Sequence, residues 1–99
     1  MTKERRLAIE MWEGIRKYIM TATRATSTDI YFYKETFCED HDLNWMWNCW
    51  FCHYIMKCSK CPLKGCARGY HSCVMDEFKD KKVRVEACNV IIKALGGKV

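Results

Sequence analysis

Six of the chain's eight cysteines fall between Asn48 and Cys73, at Cys49, Cys52, Cys58, Cys61, Cys66 and Cys73. Two pairs have the Cys-x2-Cys spacing, Cys49-Trp-Phe-Cys52 and Cys58-Ser-Lys-Cys61, and the second runs on into Pro62. Two residues between cysteines let one backbone turn aim two sulfurs at a single tetrahedral ion, and two such pairs complete a four-cysteine zinc site. The expected ligands of a structural Zn2+ are therefore Cys49, Cys52, Cys58 and Cys61, with Cys73 as the alternative ligand and Cys66 a further spare thiol. Cys38 and Cys88 lie outside the cluster and read as core thiols.

Three other uses of these cysteines compete. An even number of cysteines also suits a disulfide framework, but disulfides persist in oxidising compartments. The start Met1-Thr-Lys-Glu-Arg-Arg leads on through Trp12, Glu13 and Arg16 without an apolar run, so no signal peptide is expected. Redox catalysis would use Cys49-Trp-Phe-Cys52 as a dithiol, a motif that normally follows a strand in a βαβ setting, and no such pattern is present. A catalytic zinc keeps an open position and favours His or carboxylate ligands, whereas all-thiolate sites are usually closed. His53 and His71 stand near the cysteines and could ligate, although hydrogen-bonded structural histidines are commoner. Glu39-Asp-His-Asp42 could bind a cation but reads as a solvated acidic turn. No enzymatic activity is expected.

At 99 residues the chain is one domain, residues 1–99. With 49% apolar residues it is not of disordered composition. A chain this short buries a modest fraction of its surface, so a metal staple is useful. Structural zinc binds with on the order of 10 kcal/mol in zinc-finger peptides, comparable to the whole stability of a domain, about 5–15 kcal/mol. A chelator is therefore expected to loosen the fold. The net charge is +5. A tetrathiolate zinc centre carries −2 and would bring the loaded chain to about +3. Lys57, Lys60, Lys64 and Arg68 interleave with the cysteines, either to offset that negative charge or to contact phosphates. No stretch approaches the roughly 20 apolar residues of a membrane span.

The elements that must position the cysteines read as helices. Residues 2 to about 25 form an amphipathic helix with Leu7, Ile9, Met11, Trp12, Ile15, Tyr18, Ile19 and Ala22 at three- and four-residue steps. Gly14 weakens it by about 1 kcal/mol relative to alanine. Ser27 or Thr28 is the expected N-cap of a shorter helix, Asp29 to about Cys38, with Ile30, Phe32, Tyr33 and Phe37 as its apolar residues. Asn44 to Met56 is dense in aromatics (Trp45, Trp47, Trp50, Phe51, Tyr54), with a short helix from about Asn48. Gly65 and Gly69 mark a loop. Ser72 to Lys79 reads as a helical turn with Phe78 packing inward. The last helix spans roughly Asp80 to Leu95, burying Val83, Ala87, Cys88, Ile91, Ile92 and Leu95, and stops at Gly96-Gly97. The fold class is all-α: two longer amphipathic helices, N- and C-terminal, around a central short-helix and zinc-knuckle segment.

The chain resembles a family of small cysteine-rich proteins encoded by phages and prophages of Gram-positive bacteria. The resemblance is carried by the Met-Thr-Lys-Glu start with Trp12 and Ile15, by Asn48-Cys49-x2-Cys52, by Cys58-x2-Cys61-Pro62-Leu63, by Cys73, and by the closing Ala87, Ile91 or Ile92, and Leu95. It spans nearly the whole chain, but only the cysteine core is specific. It implies Cys49, Cys52, Cys58, Cys61 and Cys73 as the recurring thiols, with Cys66 an extra. The loop between the two pairs is shorter here than in many relatives, and a tryptophan expected near Phe78 is absent. Some similar small zinc-binding phage proteins are anti-CRISPR proteins acting on the type II RNA-guided nuclease. By that analogy the expectation is a monomeric inhibitor in the host bacterial cytosol that binds the nuclease and blocks target DNA loading. A net positive chain does not imitate duplex DNA, so it would cover a functional surface or jam a conformational step. The alternative is a zinc-binding phage regulator that binds nucleic acid, for which Lys57, Lys60, Lys64, Arg68, Trp50 and Tyr70 are suitable residue types.

Overall fold

In a computed structural model that describes residues 1–45, 48–55 and 69–99, the chain is all-α, and no strand occurs among the described residues. The described residues form five helices in order: α1 (Lys3–Thr21), α2 (Ser27–Asp40), α3 (Trp50–Tyr54), α4 (Tyr70–Met75) and α5 (Lys81–Ala94).

The N-terminal helix is the axis of the fold. Thr2 caps it, its hydroxyl accepting from Arg5 N–H at 3.2 Å. Its Ala8, Met11, Trp12, Ile15 and Ile19 are buried at helical spacing. It packs against α5, α2 and α3. Polar ties fix the α5 pairing as antiparallel: Arg5 Nε donates to Leu95 O at 2.7 Å, Arg16 Nη1 to Asn89 Oδ1 at 2.7 Å, and Lys81 Nζ to Ala22 O at 2.6 Å. Arg5 thereby supplies donors and positive charge to the unsatisfied carbonyls at the end of α5. The helix ends at Thr21, short of residue 25, and Ala22 is extended.

The N-cap of α2 lies one residue before the expected caps. Thr26 is the N-cap, and a reciprocal capping box with Asp29 makes it the better one: Asp29 N–H donates to Thr26 Oγ1 and Thr26 N–H to Asp29 Oδ2, each at 3.1 Å. These bonds hold the Asp29 carboxyl below its ordinary range, with a hydrogen bond from Tyr18 adding to the effect. The helix continues through Glu39 and Asp40, so only His41 and Asp42 of the expected acidic turn lie in the turn itself.

Two expected core positions are overturned. Phe78 is 84% exposed; α4 stops at Met75, Asp76 Oδ1 accepts from Phe78 N–H at 3.0 Å, and the ring stacks beneath the Arg24 guanidinium on the surface. Val83 is 43% exposed. The inward stripe of α5 is Arg84, Ala87, Cys88, Ile91, Ile92 and Leu95. Arg84 takes the place read for Val83 because its Nε donates to Val74 O at 2.8 Å, which ties α5 to the last turn of α4. The C-terminal stop is as expected. Gly96 adopts φ +90°, its N–H donates to Lys93 O and that of Gly97 to Ile92 O, both at 2.9 Å, a Schellman closure.

Gly14 has a use beyond its propensity cost. A Cβ there would overlap the Tyr33 hydroxyl, so its absence lets α2 lay Tyr33 across α1.

Candidate functional site

The first cysteine pair is positioned by a change of backbone direction. Asn48 has φ +52°, a conformation asparagine tolerates better than most residues, and its N–H donates to Trp45 O at 3.0 Å. Cys49 follows in extended conformation as the N-cap of α3, and Cys52 is three residues on. N-cap and third helical position face one another across the first turn, as in a capping box. Cys49 makes no side-chain capping hydrogen bond. The thiols of Cys49 and Cys52 thus share one end of a helix that leans on α1, with Cys49 buried and Cys52 half-buried. Two soft sulfurs at the ends of a two-residue spacer suit a tetrahedral thiophilic ion.

The other expected ligands, Cys58 and Cys61, lie outside the described residues, as do Cys66, Lys57, Lys60, Lys64, Arg68 and Trp47. Cys73, the alternative ligand, is half-buried on α4. Among the described residues no three His, Cys, Asp or Glu side chains form one metal-holding group, so Cys73 does not join Cys49 and Cys52 in such a set. Both cysteines read as core thiols are buried. Burial raises the Cys88 thiol to about 12 despite the nearby Arg16 and Arg84, and raises that of Cys38 as well.

One feature near the cysteines escaped the sequence reading. The buried line of α2 is Ile30, Lys34 and Cys38. Lys34 is 1% exposed and His71 9%. Lys34 Nζ donates to His71 Nε2 at 3.0 Å and stands 5.6 Å from the centre of the Trp12 ring, whose edge meets the His71 ring at 5.8 Å. An ammonium has only donors, so Nε2 is the acceptor and the imidazole proton sits on Nδ1. Burial, reinforced by the Lys34 charge, lowers His71 to about 4, and it is neutral at neutral pH. The signal for this pair was the four-residue spacing Ile30–Lys34–Cys38, masked by the louder Tyr31-Phe32-Tyr33 run.

That aromatic run serves the surface instead. Phe32 is 65% exposed. With Tyr18, Asp29, Tyr33 and Thr36 it lines an open cleft of about 310 Å3 between α1 and α2. Burial and the neighbouring Asp29 carboxylate raise Tyr18, keeping its phenol protonated. No helix among the described residues is long and apolar enough to cross a membrane. Comparison with protein-family models, curated proteins and solved structures returns no match.

Proposed function

We propose that this chain is a zinc-clamped protein-binding module that acts by covering a surface of a larger partner. The observation that carries the binding reading is the exposed Phe32 at the lip of the α1–α2 cleft, beside the Tyr18 and Tyr33 rings. Exposed aromatics next to a concavity with a few polar groups are the residue types that anchor protein interfaces. The clamp is the structural Zn2+ expected at Cys49, Cys52, Cys58 and Cys61, a reading supported by the placement of Cys49 at the N-cap and Cys52 at the third residue of α3. When bound, the ion would tie the chain between α2 and α4 to the helical frame.

The resemblance of the cysteine core supplies the partner: a type II CRISPR RNA-guided nuclease, whose loading of target DNA the module would block. The net charge of +5 fits an acidic patch on such a target better than mimicry of the DNA backbone. The test is a pull-down of the zinc-loaded chain against the nuclease with its guide RNA, with labelled duplex DNA as the parallel bait. Capture of the nuclease with loss of DNA loading, abolished by Phe32→Arg in a chain that keeps its helix content, is the expected result. Capture of DNA alone, falling steeply with salt, would refute it in favour of a nucleic-acid-binding regulator.

A further inference from the structure

The cleft between α1 and α2 combines three aromatic rings with one carboxylate. Tyr18, Phe32 and Tyr33 supply the rings, Thr36 a hydroxyl, and Asp29 the charge. Phe32 and Thr36 are exposed, and Tyr18, Asp29 and Tyr33 are half-buried, so all five keep surface that an incoming group can touch. At about 310 Å3 the cleft is at the lower end of ligand sites, about 300–1,000 Å3, a size that suits one inserted side chain.

The carboxylate is fixed and charged. Thr26 N–H donates to Asp29 Oδ2 at 3.1 Å, and the Tyr18 hydroxyl donates to the same carboxyl from across the cleft. These contacts hold Asp29 below its ordinary range, so it is ionised at neutral pH. A carboxylate accepts at about four sites, and the contacts with Thr26 and Tyr18 leave capacity for a further donor.

The helix that bears it is negative although the chain is not. Asp29, Glu35, Glu39 and Asp40 lie on α2 against a single cation, Lys34, which is buried. Glu35, Glu39 and Asp40 are exposed. In α1 and α5 the balance is reversed, with Lys and Arg outnumbering Asp and Glu. The net charge of +5 therefore arises outside α2. An aromatic face attracts a cation, and a guanidinium can stack on such a face while its N–H fork meets a carboxylate. An ammonium is more strongly hydrated and lacks the planar fork.

We propose that the α1–α2 cleft is a receptor for an arginine side chain that projects from the partner, stacking against Phe32 and donating to Asp29, with Glu35 and Glu39 attracting basic residues beside it. The inference rests on the protein-binding reading above and names the partner chemistry taken at that site. Tyr18 is a positioning residue, since its hydroxyl orients the carboxylate. The acidic patch matched by the chain's net charge would be met elsewhere on the molecule, so the two contacts do not compete.

The test titrates the full chain with an acetylated, amidated Gly-Gly-Arg-Gly-Gly peptide, followed by the NMR ring resonances of Tyr18, Phe32 and Tyr33. The control peptide carries citrulline, which keeps the shape of arginine and removes its charge. The arginine peptide should shift the three rings saturably, and the citrulline peptide should bind about 10-fold more weakly, the loss of one charge-assisted hydrogen bond. Thr36→Lys and Thr36→Glu change the charge at the exposed lip, and both should keep the wild-type helix content. Lysine should weaken the arginine peptide by about 2- to 5-fold and glutamate should tighten it, the size of a surface charge pair. Equal affinity for the two peptides, no saturable shift of the rings, or indifference to both Thr36 variants overturns the proposal. The same variants in the nuclease pull-down separate the two readings. Capture of the nuclease unchanged by both variants means that the partner is held without this cleft, which overturns the arginine receptor and leaves the nuclease reading standing. Arginine-peptide binding at the three rings without capture of the nuclease supports the receptor and refutes that partner.

Discussion

His71 gives the stability of this protein an acid dependence whose size follows from its surroundings. Its ordinary pKa of 6.5 is lowered to about 4 in the folded chain, first by burial and then by the adjacent Lys34 ammonium. A histidine with a depressed folded pKa binds its proton more readily in the unfolded chain. Its contribution is therefore complete above pH 6.5 and is lost as pH falls toward 4. The gap between those values, at about 1.4 kcal/mol per pH unit, amounts to about 3 kcal/mol. About 2 kcal/mol of it falls between pH 6.5 and 5, a sizeable part of a stability of about 5–15 kcal/mol. Protonation would set a second cation 3.0 Å from Lys34 Nζ and abolish the acceptor that holds it. The perturbation is His71→Gln, which keeps an acceptor and cannot titrate. Urea unfolding of both chains at steps from pH 7.5 to 5 should give a difference constant above pH 7 that shifts by about 2 kcal/mol in the variant's favour by pH 5. Acid release of metal affects both chains and cancels in the difference. Parallel curves across that window, or a His71 ring resonance titrating near 6.5, would refute the reasoning.

Three further outcomes are expected. Gly14→Ala should destabilise the chain in urea melts despite a propensity gain of about 1 kcal/mol, because the new methyl displaces the Tyr33 hydroxyl; in a Tyr33→Ala background the gain should reappear. Cys61→Ala should release zinc and make unfolding less cooperative, whereas Cys88→Ala, at a buried thiol outside the ligand set, should leave zinc bound; full metal retention by Cys61→Ala, read by metal analysis after desalting, would mean the site is assembled from other thiols. Gly96→Ala should lower thermal stability by about 1 kcal/mol, since φ +90° admits a side chain only with strain; an unchanged Tm would show that the closure of α5 relaxes freely.

Local pattern carried most of the fold. The three- and four-residue recurrence of Met11, Trp12, Ile15 and Ile19 places α1, and Ala87, Cys88, Ile91, Ile92 and Leu95 place α5, because burial of one face is what makes a helix of that length stable. The glycine pair after Leu95 marks the end of α5 through a backbone conformation that other residues resist. The spacing of Cys49 and Cys52 likewise fixes two thiols on one turn, whatever surrounds them.

What hydropathy hides is a polar side chain with a tertiary reason to be inside. Lys34 stands in the middle of one buried stripe and Arg84 at the start of another because a distant group accepts the hydrogen bond of each, His71 Nε2 in one case and Val74 O in the other. Phe78 and Val83 are displaced outward for the complementary reason: α4 ends before Phe78 can turn inward, and Arg84 already fills the place read for Val83. Periodicity and turn chemistry, being local, thus determined the helices, their order and the first thiol pair. The buried Lys34–His71 contact joins residues 37 positions apart, and Gly14 meets Tyr33 across two helices, so only the tertiary structure could decide them.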